Sequence, residues 1–427
     1  MPHIPVTTPA SVRRALLGES EIAILDVRPE GRFAEGHPLF AASFPLGQLE
    51  AQVYERLPRR SVPVVVYGDD PGDAGTAVRK LRQLGYTDVS LLDGGLDAWI
   101  AAGGELFRDV NAPSKAFGEL VAVTAGTPSL PADEVAALLR DRAGSQAGGT
   151  PRAVVVDARR LDEYATMSIP GAVSVPGAEL VLRVRELAPD PATVVVVNCA
   201  GRTRSIIGTQ SLINAGLPNR VAALRNGTIG WALAGRQLDH GQLRHAPDVS
   251  VAAARQAEAA AWAVADKTGV RRVSGDELRP LDDGTRTVYR FDVRTPQEYE
   301  SGHLPGFRSA PGGQLVQETD WFAPVRGALV VLAGDGGGRA AMTASWLAQM
   351  GWDVVVTSAE LAAPTAGPPG TAGRLERGPW AAERPPLPDV LMAGPALVAG
   401  WLRAGEARVV DVDTSRRFLA GHVSGAA

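Results

Sequence analysis

Four apolar runs in this chain end in an acid and then repeat the same spacing. The runs are Ile22-Ala-Ile-Leu-Asp26, Val154-Val-Val-Asp157, Tyr289-Arg-Phe-Asp292 and Val409-Val-Asp411. Eleven residues after each acid stands His37, Ser168, His303 or His422. Forty-two residues after the first three acids stand Gly68, Cys199 and Gly334, each behind a second apolar run such as Val64-Val-Val-Tyr67, Thr193-Val-Val-Val-Val-Asn198 or Leu329-Val-Val-Leu-Ala333. Offsets kept this closely mark one structural unit used repeatedly. Continuous β-branched runs read as strands buried on both faces.

Each unit opens with an N-capped helical pattern, as in Thr8-Pro-Ala-Ser-Val-Arg-Arg-Ala-Leu-Leu17 and Ser129 to Leu139. Later come a second helix, a short strand and a Gly-to-Trp turn ending at Trp99 and Trp231, both assigned to the core. Alternating strands and helices imply an α/β fold with a mainly parallel central sheet and helices on both faces. Linkers are expected at Asp141–Pro151 and across Ala362–Pro388, and Val251–Asp266 reads as a connecting helix. The expected domains are 1–110, 122–240, 267–360 and a partial fourth at 386–427, whose first strand would be Val409–Asp413.

Cys199 is the only cysteine of 427 residues. It stands where a strand hands over to a helix that starts near Ile206 and stops at Gly216. Open α/β sheets place ligands at that edge. Amides at a helix start, with Arg202 and Arg204 nearby, favour an anionic sulfur and an anionic substrate. Arg202 and Arg204 could equally be solvated surface charges. Thr203 and Ser205 could donate to a bound anion or cap the helix. His37, His303 and His422 suggest a Cys-His hydrolase, but the unit with the thiol lacks the histidine, so a turn-stabilising role is expected. Asp157 and Arg159 recur in units without a thiol and read as a structural ion pair.

A net charge of −4 gives no basic excess for nucleic acid or an anionic membrane. One cysteine cannot form an internal disulfide, and the N-terminus lacks a signal-peptide pattern, so a cytoplasmic protein is expected. No metal-ligand cluster or phosphate loop is visible, and no cofactor is expected.

Asp292-Val-Arg-Thr-Pro-Gln-Glu-Tyr-Glu-Ser-Gly-His-Leu-Pro-Gly306 and Cys199-Ala-Gly-Arg-Thr-Arg204 resemble the opening motif and active loop of the rhodanese family of sulfurtransferases. The resemblance covers nearly the whole chain, as tandem rhodanese-like domains. It implies a persulfide on Cys199, with Ala200, Gly201, Arg202, Thr203 and Arg204 binding the substrate through the loop amides. It also implies a small anionic donor such as thiosulfate and an acceptor that is cyanide, a thiol or a protein. The commoner family loop has glycine fourth, whereas Gly201 is third here, and the mercaptopyruvate-type loop is absent. With Gly68 and Gly334 at the cysteine position, the first and third units are expected to be inert. Two other readings stay open at this point: a rhodanese-domain scaffold or redox sensor, and a cysteine phosphatase or arsenate reductase.

Overall fold

The computed structural model describes residues 4–18, 20–140, 152–334, 338–357, 375–380, 382, 391–413 and 415–427. The two expected linkers therefore lie mostly or wholly outside the described residues, as do Asp335, Gly336 and Gly337 of the third unit's loop. Residues 1–382 form one compact body and 383–427 a second.

The first body holds three sheets in sequence order. The first repeat contributes β1 (Val6–Thr7), β2 (Ile22–Asp26), β3 (Ala41–Ser43), β4 (Val64–Tyr67) and β5 (Val89–Leu92). The second contributes β6 (Ser129–Leu130), β7 (Ala153–Asp157), β8 (Val173–Ser174), β9 (Val194–Asn198) and β10 (Val221–Leu224). The third contributes β11 (Arg271–Val273), β12 (Val288–Asp292), β13 (Arg308–Ser309), β14 (Val325–Arg326), β15 (Leu329–Ala333) and β16 (Asp353–Thr357). The second sheet runs β6-β10-β9-β7-β8, and the other two share that order. All pairings among these strands within a repeat are parallel. The second runs are the central strands β4, β9 and β15, and the acid-terminated runs are their neighbours β2, β7 and β12. Both sets are almost wholly buried, which is why their sequences are continuously apolar rather than alternating.

The recurring acid and arginine form the same buried pair three times. Asp26–Arg28 closes at 2.6 Å, Asp157–Arg159 at 2.8 Å and Asp292–Arg294 at 2.6 Å. Each guanidinium also donates to a carbonyl eight residues on, at Gly36, Met167 and Gly302. The pair ties the end of its strand to the next turn. His37 and His303 are buried and stack on Phe33 and Tyr299, with ring centroids 3.7 Å apart in both cases. Their Nδ1 atoms lie 2.9 Å from the carbonyls of Pro38 and Tyr299. The turn-stabilising role is what the contacts support; in the second repeat Ser168 occupies the place with a buried, unpartnered hydroxyl.

The repeats interlock. The helix Val251–Lys267 does connect the second and third repeats, packing on the helix Gly338–Gln349. Trp346 of the latter donates to Ser211 Oγ of the second repeat at 2.8 Å. Arg339 Nη1 reaches Glu179 Oε1 at 2.5 Å. Between the first and third repeats, β14 adds antiparallel to β2, through Val325–Ala23 and Arg326–Ile22. Arg56, 1% exposed, lies between Phe44 and Trp321, 3.7 and 4.2 Å from their ring centroids. It donates to the carbonyls of Ser43, Asp320 and Trp321, and burial pulls its pKa down to about 9.

The second body corrects one expectation. Val409–Asp413 is not a strand; Val410 is 70% and Val412 94% exposed. A strand needs a ladder on its flanks, and here Ala427 accepts from Asp411 N at 3.0 Å and donates to Val409 O at 3.1 Å, on one side. The local pairing that β2 makes with β3 is present, but the second strand that covers the other edge in the three repeats is not among the described residues.

Candidate active site

Cys199 follows the last residue of β9 and precedes the helix Thr203–Asn214, as the sequence indicates. The residue is 2% exposed. Its Sγ lies 3.5 Å from Ser205 Oγ, and that hydroxyl donates to Arg202 O at 2.8 Å. Ser205 thus closes the loop on itself and touches the sulfur.

The carbonyls of the loop are fixed from behind. Thr228 donates to Cys199 O through its amide at 2.8 Å and its hydroxyl at 3.1 Å, and Ile229 N donates to Ala200 O at 3.0 Å. Asn198, below the cysteine, donates to Asp157 Oδ2 at 2.7 Å and to Thr228 Oγ1 at 3.0 Å. The structural ion pair and the turn after β10 therefore meet under the loop. Gly227 makes this approach possible. Its φ is +56°, and a Cβ there would sit 2.3 Å from Cys199 O and 2.7 Å from Gly201 O.

With the carbonyls turned to these donors, the amides are left over. Among the described residues, the N–H groups of Ala200, Gly201, Arg202, Thr203, Arg204 and Ser205 meet no protein acceptor. Six successive unpaired donors beside a thiol at the start of a helix are the kind of arrangement that suits an anion.

The arginines behave differently from their sequence reading. Arg204 binds Glu163 through both terminal nitrogens at 2.7 and 2.9 Å, and is mostly buried. Burial opposes its charge, but the hydrogen bond and charge of Glu163, with Cys199 contributing, raise its pKa overall. Arg202 binds Glu119 at 2.7 and 2.8 Å, with both side chains about half exposed. Neither guanidinium is free in this structure, and the donors of the loop left without a protein partner are its amides.

Glu163, Glu119, Asn198, Thr228 and Gly227 were not singled out by the sequence. Glu163 had a signal: Glu298 stands at the same offset in the third repeat, and it binds Arg339 at 2.9 Å as Glu163 binds Arg204. In the first repeat the polarity is reversed. Arg32 takes the place of Glu163 and binds Asp69, the residue after Gly68.

Among the described residues no group of three or more His, Cys, Asp or Glu could hold a metal ion, and no helix is long and apolar enough to cross a membrane.

A model of the rhodanese-like domain matches residues 8–102, 134–234 and 275–359. A thiosulfate sulfurtransferase of Pseudomonas aeruginosa is 31% identical over 195 residues, spanning 41% of this chain and 68% of that protein. A crystal structure of a thiosulfate sulfurtransferase from Pseudomonas aeruginosa is similar with a TM-score of 0.91 at 56% identity, covering 99% of this chain and 78% of that one.

Proposed function

Because this chain belongs to the rhodanese-like domain family, we propose that it is a sulfurtransferase whose single working centre is Cys199. The observation that carries this reading is the thiol set among six free loop amides, with no comparable thiol in the other repeats. In the first step the Cys199 thiolate attacks the outer sulfur of thiosulfate. A new S–S bond forms, the S–S bond of thiosulfate breaks, and sulfite leaves with the electron pair. In the second step an acceptor nucleophile, such as cyanide, a thiol or a protein thiolate, takes the outer sulfur and returns Cys199 to the thiolate. The amides of Ala200, Gly201, Arg202, Thr203 and Arg204 hold the oxygens of the donor and stabilise the charge on the leaving sulfite. No general base is needed once the thiol is ionised, in keeping with the absence of histidine from this repeat's turn.

On this reading the domains 1–110 and 267–360 are inert, 122–240 is catalytic, and 386–427 is the start of a fourth. The unpaired cysteine suits a reducing, cytoplasmic setting. Incubation with thiosulfate followed by intact-mass measurement tests the mechanism. One added sulfur atom on the wild type, absent from Cys199→Ser, is the expected outcome; a wild type that takes up no sulfur from any sulfane donor refutes it.

A further inference from the structure

Arg202 is held by a residue that lies outside the catalytic repeat. Glu119 sits on the helix Ala112–Thr124, between the matched segments 8–102 and 134–234. That helix is a rigid mount. Ser114 Oγ donates to Gln317 O of the third repeat at 2.7 Å, and Phe117 packs edge-on against Trp346 at 6.0 Å. On the other side it presses on the active loop: a Cβ on Gly118 would lie 2.9 Å from Thr203 Cγ2. The helix that carries the carboxylate is thus held between the second and third repeats before Glu119 meets Arg202.

We propose that Glu119 is a specificity-determining residue of the Cys199 site, holding Arg202 away from the incoming donor and limiting the pull of the loop on anions. The bidentate geometry cancels one positive charge at the fourth loop position, and Arg204 is cancelled in the same way by Glu163. The loop then attracts an anion by its amide dipoles alone, and a donor with little or no charge competes on better terms with thiosulfate. Each charge also sustains the other, since Arg202 lowers the pKa of Glu119, and Glu119 raises that of Arg202. Half-exposed pairs of this kind add little to fold stability, so the clamp can be opened without unfolding the protein.

The inference rests on the sulfur-transfer reading for its substrate, but its first test does not. Cys199 is the only thiol, so its alkylation by anionic iodoacetate and neutral iodoacetamide can be timed on the full chain. In Glu119→Gln the ratio of the two rates should rise by about 3- to 10-fold at low ionic strength, and fall back toward the wild-type ratio at high salt. Arg202→Gln should lower the ratio, because Glu119 is then uncompensated. Adding Arg202→Gln to Glu119→Gln should restore a ratio near that of the wild type. With thiosulfate, Glu119→Gln should lower KM more than it alters kcat. An unchanged alkylation ratio in Glu119→Gln overturns the proposal. A raised ratio in a protein that takes up no sulfur from any sulfane donor upholds the clamp and sinks the sulfur-transfer reading instead.

Discussion

Replacing Gly227 with alanine should damage the active loop from a distance of 28 residues in sequence. The backbone there is left-handed, with φ at +56°. That conformation alone costs a side-chain-bearing residue about 1–2 kcal/mol. The added Cβ would stand 2.3 Å from Cys199 O, 2.7 Å from Gly201 O and 3.0 Å from the carbonyl carbon of Ala200. All three are backbone atoms, so no side-chain rotation relieves the overlap. Moving the loop back by about 1 Å to ordinary contact would stretch the bonds from Thr228 N, Thr228 Oγ1 and Ile229 N, each worth about 1 kcal/mol. The expected destabilisation is about 4–5 kcal/mol if the whole strain is borne in the native state. A displacement of this size beside the nucleophile should also slow sulfur loading by about 100-fold. Urea unfolding and the rate of persulfide formation measure the two effects. Gly201→Ala is the control for stability, since its Cβ would meet nothing within 4 Å and its backbone is not left-handed. Wild-type loading and an unmoved unfolding midpoint in Gly227→Ala would refute the account of how the loop is held.

Two further substitutions probe the other repeats. Gly68→Cys in a Cys199→Ser background should not restore sulfur uptake, because the reversed Arg32–Asp69 pair puts a carboxylate beside the new thiol; uptake of one sulfur atom would show that the thiol alone was missing. Glu298 is partly desolvated, which by itself raises its pKa, but Arg339 and then Thr295 outweigh this and hold it at about 2, below the usual 4.5. A depressed carboxylate stabilises the fold above its unfolded pKa and loses that contribution as pH falls. Stability should therefore decline from pH 4.5 toward 2 in the wild type, and Glu298→Gln should be less stable at pH 7 with a shallower decline, as followed by acid unfolding.

The repeat register carried most of what the sequence revealed. Buried parallel strands demand continuous apolar runs, so β2, β4, β7, β9, β12 and β15 were visible as such, and the fixed offset to Cys199 placed the thiol at a strand end. The internal copies also separated structure from chemistry, since Asp157, Arg159 and the turn histidines recur where no thiol exists. What escaped notice was made by tertiary contact. Gly227 and Thr228 matter because a later turn folds back under the loop, and Glu119 matters because a linker helix is pinned across it. Glu163 was within reach of the same comparison, had the acid and the loop arginine been tracked together through Glu298 and Arg339. The supposed strand at Val409 shows the limit of local pattern, for a strand's identity depends on its neighbours.

The strand β14 and the burial of Arg56 have a consequence during synthesis. Arg56 is bonded to a carbonyl 265 residues later in the chain. At ribosomal speeds that stretch takes roughly 13–53 s to emerge. For that interval the growing chain carries a first repeat whose β2 edge is partly unpaired and whose Arg56 has Phe44 beside it but lacks Trp321 and the carbonyls of Asp320 and Trp321. The second repeat, with Cys199, emerges inside the same window. The nascent chain thus passes through a stage in which a partly bare sheet edge waits for residues 325–326, and the helix that carries Glu119 waits for Gln317 and Trp346.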